Sequence, residues 1–296
     1  MQKRIIVVGA GGFLGSNIIK KALSERACQN IVAVTLGVEE MIRRFGPIDK
    51  LEIHSENALF TEEVSLNKDD IIINCAYPRA MKGQDVAIGL NYVESVFRVA
   101  ENTKVKGIVN ISSQSVYDPL RECPAREEDI PCLLDEYAVG KYCMELLIRN
   151  ICKDVPFTNI RLASLIGPGF NVRVPNKMIA SALESGRISV VINKQHFGYL
   201  DVEDAVNGLL KLVSIDSHLW KDVYNLGSDQ TYTLLEIAET VKAEMKSIRN
   251  IDVEIVRNEN DKCLNTALNS TRIKSIINDY QNNTLAESVR KIIYSL

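Results

Sequence analysis

The chain has no apolar run approaching the roughly 20 residues that span a bilayer, so a membrane protein is not expected. Histidine is scarce, with three in 296 residues at positions 54, 196 and 218, and no Cys/His spacing of the zinc type occurs. No metal site is expected. The seven cysteines, at 28, 75, 123, 132, 143, 152 and 263, are odd in number and include no Cys-x-x-Cys. They read as free thiols in a reducing compartment, most of them serving as small hydrophobes. Charge of one sign is also missing. The net charge is −3 without a long like-charged run, which argues against a nucleic-acid partner. The first strand is expected to start at residue 4, which leaves no room for a signal peptide, and a cytoplasmic protein is expected. There is no internal repeat and no low-complexity segment.

What is present is an ordinary globular composition, 46% hydrophobic and 25% charged, long enough for one large or two small domains. Its organising stretch lies at the start. Ile5 to Val8 form an apolar run of the kind found in strands buried on both faces. Gly9, Gly11, Gly12 and Gly15 follow, and Phe13, Leu14 and Ile18 open a helical apolar pattern. Strand, glycine turn and helix form the context of a dinucleotide site. At spacing 9, 12, 15, Gly9 permits the turn, Gly12 lets backbone approach a pyrophosphate, and Gly15 lets the helix pack on the sheet. The helix N-terminus favours the phosphates.

A second buried strand, Asn30 to Val34, ends at Thr35, where such folds usually carry an acidic residue for the adenosine ribose. The usual sign of NAD is therefore absent. No arginine directly follows the strand to indicate NADP, although Arg43 and Arg44 lie on the next helical segment, so either cofactor stays open. Leu51 to Ile53 is a weak strand and Asp70 to Asn74 a strong one, whose end at Asn74 to Tyr77 should lie beside the cofactor. Residues 84–101 read as a helix with Val86, Leu90, Val93, Phe97 and Ala100 on one face. Gly107 to Ile111 is a strand leading into Ser112-Ser113-Gln114-Ser115-Val116-Tyr117, then a long loop to residue 134. A helix from Tyr137 to about 152 and a strand from Phe157 to Ala163 complete an alternating pattern, which predicts a parallel doubly wound sheet. Further on, helices are expected at 174–183, 202–213, 233–245 and 284–294, and strands at 190–192, 223–226 and 252–256.

Tyr137 and Lys141 are four apart and share a helix face. A free phenol titrates near pH ~10; an ammonium ~5 Å away at an effective dielectric of ~20 contributes roughly 3 kcal/mol, or about 2 pKa units. Tyr137 is thus a candidate general acid/base and Lys141 a candidate holder of the nicotinamide ribose. Ser113 would hydrogen-bond the reacting oxygen. Proton transfer at oxygen with hydride transfer at carbon interconverts alcohol and ketone.

In this order the motifs resemble the extended short-chain dehydrogenase/reductases, or NAD-dependent epimerase/dehydratases, across almost the whole chain. Gly9-Ala-Gly-Gly-Phe-Leu-Gly15 looks like that family's cofactor turn, and Asn91 matches an asparagine of its fourth helix. Ser112 to Tyr117 is similar to its Ser-Ser-x-x-Val-Tyr-Gly segment, with Asp118 replacing the glycine. Arg161 to Pro168, Tyr199 to Asp204 and Tyr224 to Gly227 resemble later signatures.

The resemblance implies an α/β, Rossmann-type fold with a smaller C-terminal substrate domain. Residues 1–163 plus about 201–227 would bind the dinucleotide, and about 164–200 and 228–296 the substrate. It implies catalytic Ser113, Tyr137 and Lys141, which the reading above also singles out. The expected cofactor contacts are Gly9, Gly12, Phe13, Leu14, Gly15 and Thr35 with Cys75, Ala76, Tyr137 and Lys141. The expected substrate contacts are Tyr77, Gln114, Ser115, Ser164, Arg173 and Lys177. Phe197 stands where several sugar-nucleotide epimerases have an arginine for the diphosphate; Arg173, Lys177 or Arg272 could substitute. Family dehydratases carry an acidic pair where Gln114 and Ser115 stand, and members that epimerise and reduce GDP-keto sugars carry a cysteine at the Ser115 position, so both reactions are disfavoured. The expected reaction is 4-epimerisation or keto/hydroxyl redox on a nucleotide-diphosphate sugar, with NAD or NADP, in a possible homodimer. The alternative is a dinucleotide-binding sensor without turnover.

Overall fold

The computed structural model describes residues 4–25, 30–61, 63–77, 83–228, 230–278 and 280–296; Cys28 lies outside them. In chain order the elements are β1 (Arg4–Val8), α1 (Phe13–Glu25), β2 (Asn30–Thr35), α2 (Val38–Phe45), β3 (Leu51–Ser55), β4 (Ile71–Asn74), α3 (Gly83–Thr103), β5 (Gly107–Ser113), α4 (Glu136–Ile151) and β6 (Phe157–Leu162). There follow β7 (Ser164–Ile166), α5 (Val174–Ser185), β8 (Arg187–His196), β9 (Tyr199–Asp201), α6 (Val202–Ser214), β10 (Val223–Leu226), α7 (Leu234–Arg249), β11 (Glu254–Asn265), α8 (Thr271–Lys274) and α9 (Leu285–Tyr294). The chain divides into two compact units, one of residues Met1–Val116, Pro131–Arg161 and Gly208–Tyr224, the other of Tyr117–Ile130, Leu162–Asn207 and Asn225–Leu296.

A seven-stranded sheet in the order β10-β6-β5-β4-β1-β2-β3 organises the first unit. The pairs from β3 across β2, β1 and β4 to β5 are parallel, with Val8 opposite both Val34 and Asn74. The α/β, Rossmann-type doubly wound fold read from the sequence is the fold observed. Runs of Ile and Val build the central strands because both sheet faces are covered. Ile6, Val8, Val32, Val34, Ile72 and Ile108 all point to one face, where they pack with Val93, Phe97 and Ala100 of α3 and Met144 and Ile148 of α4. The α3 stripe deepens along the helix: Val86 and Leu90 are half-buried, whereas Val93, Phe97 and Ala100 are buried.

Three buried asparagines tie neighbouring strands together. Asn74 Nδ2 donates to Asn110 Oδ1 at 2.9 Å, Asn110 Nδ2 to Asn159 Oδ1 at 2.7 Å, and Asn159 Nδ2 to the Asp222 carbonyl at 3.1 Å. A one-residue slip of any of these strands would bury an unsatisfied amide, so the row fixes register as well as contributing hydrogen bonds.

The second unit packs α5, α7 and α9 through Met178, Ile179, Val241, Met245, Val289 and Ile292. Capping boxes start α7 and α9, with Thr233 and Glu236 in one and Thr284 and Glu287 in the other. The strand expected at 190–192 is the ten-residue β8, and that expected at 252–256 is β11, which begins at Glu254 and runs to Asn265. β11 is mostly exposed and polar, so no alternating pattern marks it, and its parallel pairing with β8 shifts register between Glu259 and Cys263. The three-residue strands β7 and β9, which pair in parallel, are too short for periodicity to show. Part of the expected long loop belongs to this unit. Ala125 bridges Leu268, and the Tyr117 hydroxyl donates to Asn225 Oδ1 at 2.7 Å.

Asp204 accepts from Asn283 N at 2.7 Å and from Asn283 Nδ2 at 2.6 Å. Burial pushes its carboxyl up to about 6, against the pull of the Asn283 amide; Asp201 raises it further, and Lys291 opposes. Its proton therefore binds the folded chain more tightly than the unfolded one, and the stability it contributes falls as pH rises through about 6. The thermal-midpoint difference, parent minus Asp204→Asn, is expected to be larger at pH 5 than at pH 7.5; an equal difference at both would show that Asp204 titrates normally.

Candidate functional site

The glycine turn sits where β1 ends. Gly9 N and Ala10 N both donate to the Val34 carbonyl, at 2.9 and 3.0 Å, and Cys75 N donates to the Val8 carbonyl at 2.8 Å. The turn is thereby held between the ends of β2 and β4. Gly9 has φ +77°, and a Cβ there would stand 2.6 Å from Ala76 N, so both backbone conformation and space require glycine. A Cβ on Gly15 would lie 2.6 Å from the Gly9 carbonyl oxygen. Gly12 N donates to that same oxygen at 3.1 Å, and Ser16 N to the Gly12 carbonyl at 3.0 Å, which starts α1. Phe13 and Leu14 are half-buried in its first turn.

Thr35 is buried at the tip of β2, where its hydroxyl accepts from Gly37 N at 3.2 Å and lies in the space that a Cβ of Gly11 would take. No carboxylate occupies the tip. Arg43 and Arg44 are exposed in the last turn of α2, where positive charge suits the helix dipole.

Two further groups form on the same unit. At the end of β5, Ser113 is nearly buried; its Oγ accepts from Ser115 N at 3.1 Å and donates to Ser115 Oγ at 3.2 Å, with Gln114 half-buried in the same 3-10 turn. On α4, whose N-terminus is capped by Asp135 accepting from Ala138 N at 2.7 Å, stand Tyr137 and Lys141. Tyr137 is 42% exposed, whereas Lys141 is buried and donates from Nζ to the Ile111 carbonyl of β5 at 2.7 Å. Tyr77 joins them, its ring edge-to-face with Tyr137 at 5.0 Å and 4.6 Å from Lys141 Nζ. The Cys75 thiol is pushed up to about 12 by burial, against an opposing pull from Lys141. It remains a neutral thiol near pH 7.

Glu145 continues the α4 stripe one turn beyond Lys141. Its carboxylate accepts from Ser112 Oγ at 2.5 Å and takes both Nε and Nη2 of Arg161, at 3.1 and 2.8 Å. All three residues are buried, so α4, β5 and β6 are joined beneath Ser113.

On the second unit, Ser164 is half-buried at the start of β7. Arg173 precedes α5 with its guanidinium 5.4 Å from the Phe170 ring, and Lys177 is exposed in the first turn. The sequence reading missed Asn176 between them. It is buried, donates to the Gly167 carbonyl at 3.1 Å, and leaves its Oδ1 without a partner, as Arg173 leaves its Nε. Buried groups of this kind are uncommon and make Asn176 a candidate for a polar contact. The Pro175-Asn176 pair at the helix start was the available signal. Arg272, considered for a diphosphate, instead ion-pairs with Glu127 and Glu128.

Replacing Glu145 by alanine removes the carboxylate from a buried guanidinium, and the loss expected in chemical denaturation is about 3–5 kcal/mol. A loss below about 1 kcal/mol, the range of an exposed pair, would contradict the buried geometry.

The chain is 25% identical to UDP-glucuronic acid decarboxylase 6 of Arabidopsis thaliana over 289 residues, covering 87% of this chain and 78% of the relative. Among solved structures it resembles a variant of UDP-glucuronic acid 4-epimerase from Bacillus cereus in complex with UDP-4-deoxy-4-fluoro-glucuronic acid and NAD. That match has a TM-score of 0.80 at 17% identity, over 99% of this chain and 98% of the other. It also resembles TunA, an NAD-dependent NDP-hexosamine 5,6-dehydratase, with a TM-score of 0.79 at 15% identity over 99% and 97%. These structural likenesses speak for the fold. The model of the NAD dependent epimerase/dehydratase family matches residues 5–227, from the first strand through β10, and so takes in the glycine turn, the serine segment and the Tyr137–Lys141 pair together. On that match the chain belongs to the NAD dependent epimerase/dehydratase family.

Proposed function

We propose that this protein is an NAD(P)-dependent enzyme acting at a secondary alcohol or ketone of a nucleotide-diphosphate sugar, at C4, as an epimerase or keto-sugar reductase. The observation that carries the reading is the placement of Lys141. Its buried ammonium is anchored to β5 on the helix that carries Tyr137, next to the strand end that closes on the glycine turn. A sensor without turnover has no use for an acid/base tyrosine beside a buried lysine.

Gly9, Gly12, Phe13, Leu14, Gly15, Thr35, Cys75 and Ala76 would hold the dinucleotide, and close-approach glycines suit its pyrophosphate. When bound, that cofactor supplies hydride exchange. The protein's own part is proton handling and orientation. In the oxidation direction Tyr137 takes the hydroxyl proton while Ser113 hydrogen-bonds the same oxygen; in reduction Tyr137 returns it. Lys141 favours the ionised phenol and holds ribose hydroxyls. Gln114 and Ser115 would contact the sugar. Gln114 and Ser115 offer no acidic pair for dehydration. Exposed Ile88, Leu134, Val139 and Leu146, on or beside α3 and α4, support self-association as a homodimer.

A second reading follows from the decarboxylase relatives. Oxidation at C4 of a hexuronic acid places a ketone β to the carboxylate, which can then lose carbon dioxide without a further redox group. Incubation with UDP-glucuronic acid separates the outcomes: an isomer of unchanged mass means epimerisation, loss of the mass of one carbon dioxide means decarboxylation, and no reaction directs the search to other sugar nucleotides.

Tyr137→Phe is expected to lower kcat by roughly 10²–10⁴-fold while leaving cofactor affinity nearly unchanged. Lys141→Met should reduce both. Unchanged turnover in Tyr137→Phe would overturn the assignment and favour the sensor. With a threonine at the β2 tip, NAD and NADP are expected to differ in affinity by less than about 100-fold, or ~3 kcal/mol, in calorimetric titration. A much larger ratio would mean that another residue reads the 2′ position.

A further inference from the structure

We infer that Tyr77, seated by Gly140, is a positioning residue that holds the Lys141 ammonium and the Tyr137 ring in one arrangement for cofactor binding; the inference rests on the function proposed above. Tyr77 follows the end of β4 by three residues and lies against the first turns of α4. Its ring faces Lys141 Nζ at 4.6 Å, within the range of a cation–π contact, and meets Tyr137 edge-on at 5.0 Å with the planes at 78°. Its hydroxyl lies 3.4 Å from the Glu136 carbonyl and 3.3 Å from the Tyr137 carbonyl, to which it donates. Lys141 Nζ thus has the Ile111 carbonyl at 2.7 Å as one anchor and an aromatic face as another.

The ring fits only because residue 140 is glycine. A Cβ at Gly140 would lie 2.4 Å from the Tyr77 hydroxyl oxygen, 3.0 Å from Cε2 and 3.1 Å from Cζ. Gly140 lies within α4 and is not among the glycines of positive φ, so backbone conformation does not call for it. Inside a helix glycine is destabilising relative to alanine, and the one thing gained here is room for Tyr77. The two residues are a matched pair. Burial, with Tyr137, Asp135, Cys143 and Glu136 nearby, pushes the Tyr77 phenol up to about 12, so it stays neutral and does not compete with Tyr137 for the transferred proton.

The test uses NAD as probe, titrated into the full-length parent, Tyr77→Phe, Tyr77→Ala, Gly140→Ala and the Tyr77→Ala/Gly140→Ala double variant. Tyr77→Phe keeps the ring and should bind within about twofold of the parent; Tyr77→Ala should weaken binding by roughly three- to thirtyfold, the worth of a cation–π contact. Gly140→Ala should weaken binding similarly while its thermal midpoint is unchanged or higher, which a merely structural role would not produce. The double variant should be no worse than Tyr77→Ala alone, because both changes remove one contact. A cofactor-free readout accompanies these. In protein labelled with ¹³C-lysine, the Lys141 Hε signals should be shifted upfield by the ring in the parent and Tyr77→Phe, and lose that shift in Tyr77→Ala and Gly140→Ala. Parent-like NAD binding by Tyr77→Ala or Gly140→Ala, additive losses in the double variant, or the absence of the upfield shift would each overturn the positioning role. A parent that binds neither NAD nor NADP while showing the shift would overturn the proposed function and leave the clamp standing as a structural contact.

Discussion

The structure depends on one close approach, that of the Gly9 backbone to the peptide joining Cys75 and Ala76. A side chain on Gly9 would push the glycine turn away from the end of β4, and the register of the two central strands sets how near that end comes. Three consecutive residues then connect regions that the sequence separates widely. Cys75 is pinned to the end of β1, Ala76 lies against Gly9, and Tyr77 reaches Tyr137 and Lys141. The glycine turn and the Tyr137–Lys141 pair are thereby held to one short, well-anchored segment.

Beneath that segment the interior carries hydrogen-bonded polar groups. Asn74 is bonded to Asn110 on one side and accepts from Ala76 N at 3.3 Å on the other, so the asparagine row reaches the turn itself. Glu145 and Arg161 do for α4 what the asparagines do for the strands. Such groups contribute little net stability over apolar residues of the same shape, but they penalise every alternative register heavily. Precision of placement, more than gain in stability, is what a site with a buried ammonium requires.

Much of this was legible in the chain. β1, β2 and β4 announce themselves as Ile/Val runs, and the starts of α7 and α9 as Thr-x-x-Glu boxes. The glycine turn, the serine segment and the Tyr137–Lys141 spacing all fall in the first unit. What remained hidden shares one physical cause: it is specified by pairing across long sequence separation instead of by local period. β11 is held to β8 through backbone hydrogen bonds while its side chains remain polar, and nothing in residues 257–262 alternates. Gly140 has no role within its own helix and gains one only from Tyr77, 63 positions earlier, in the space beside it.

The division into two units has a consequence for how the chain can be made. The backbone passes from one unit to the other five times, after Val116, Ile130, Arg161, Asn207 and Tyr224. During synthesis from the N-terminus, the first unit lacks its last segment until residue 224 has left the ribosome, by which point most of the second unit's segments are already waiting. The two units therefore cannot be made one after the other as uninterrupted stretches of chain, the simplest case of domain-by-domain folding. A single cut never separates them cleanly: even a break after Tyr224, which keeps all three segments of the first unit, leaves Tyr117–Ile130 and Leu162–Asn207 of the second attached to it without their last partner segment.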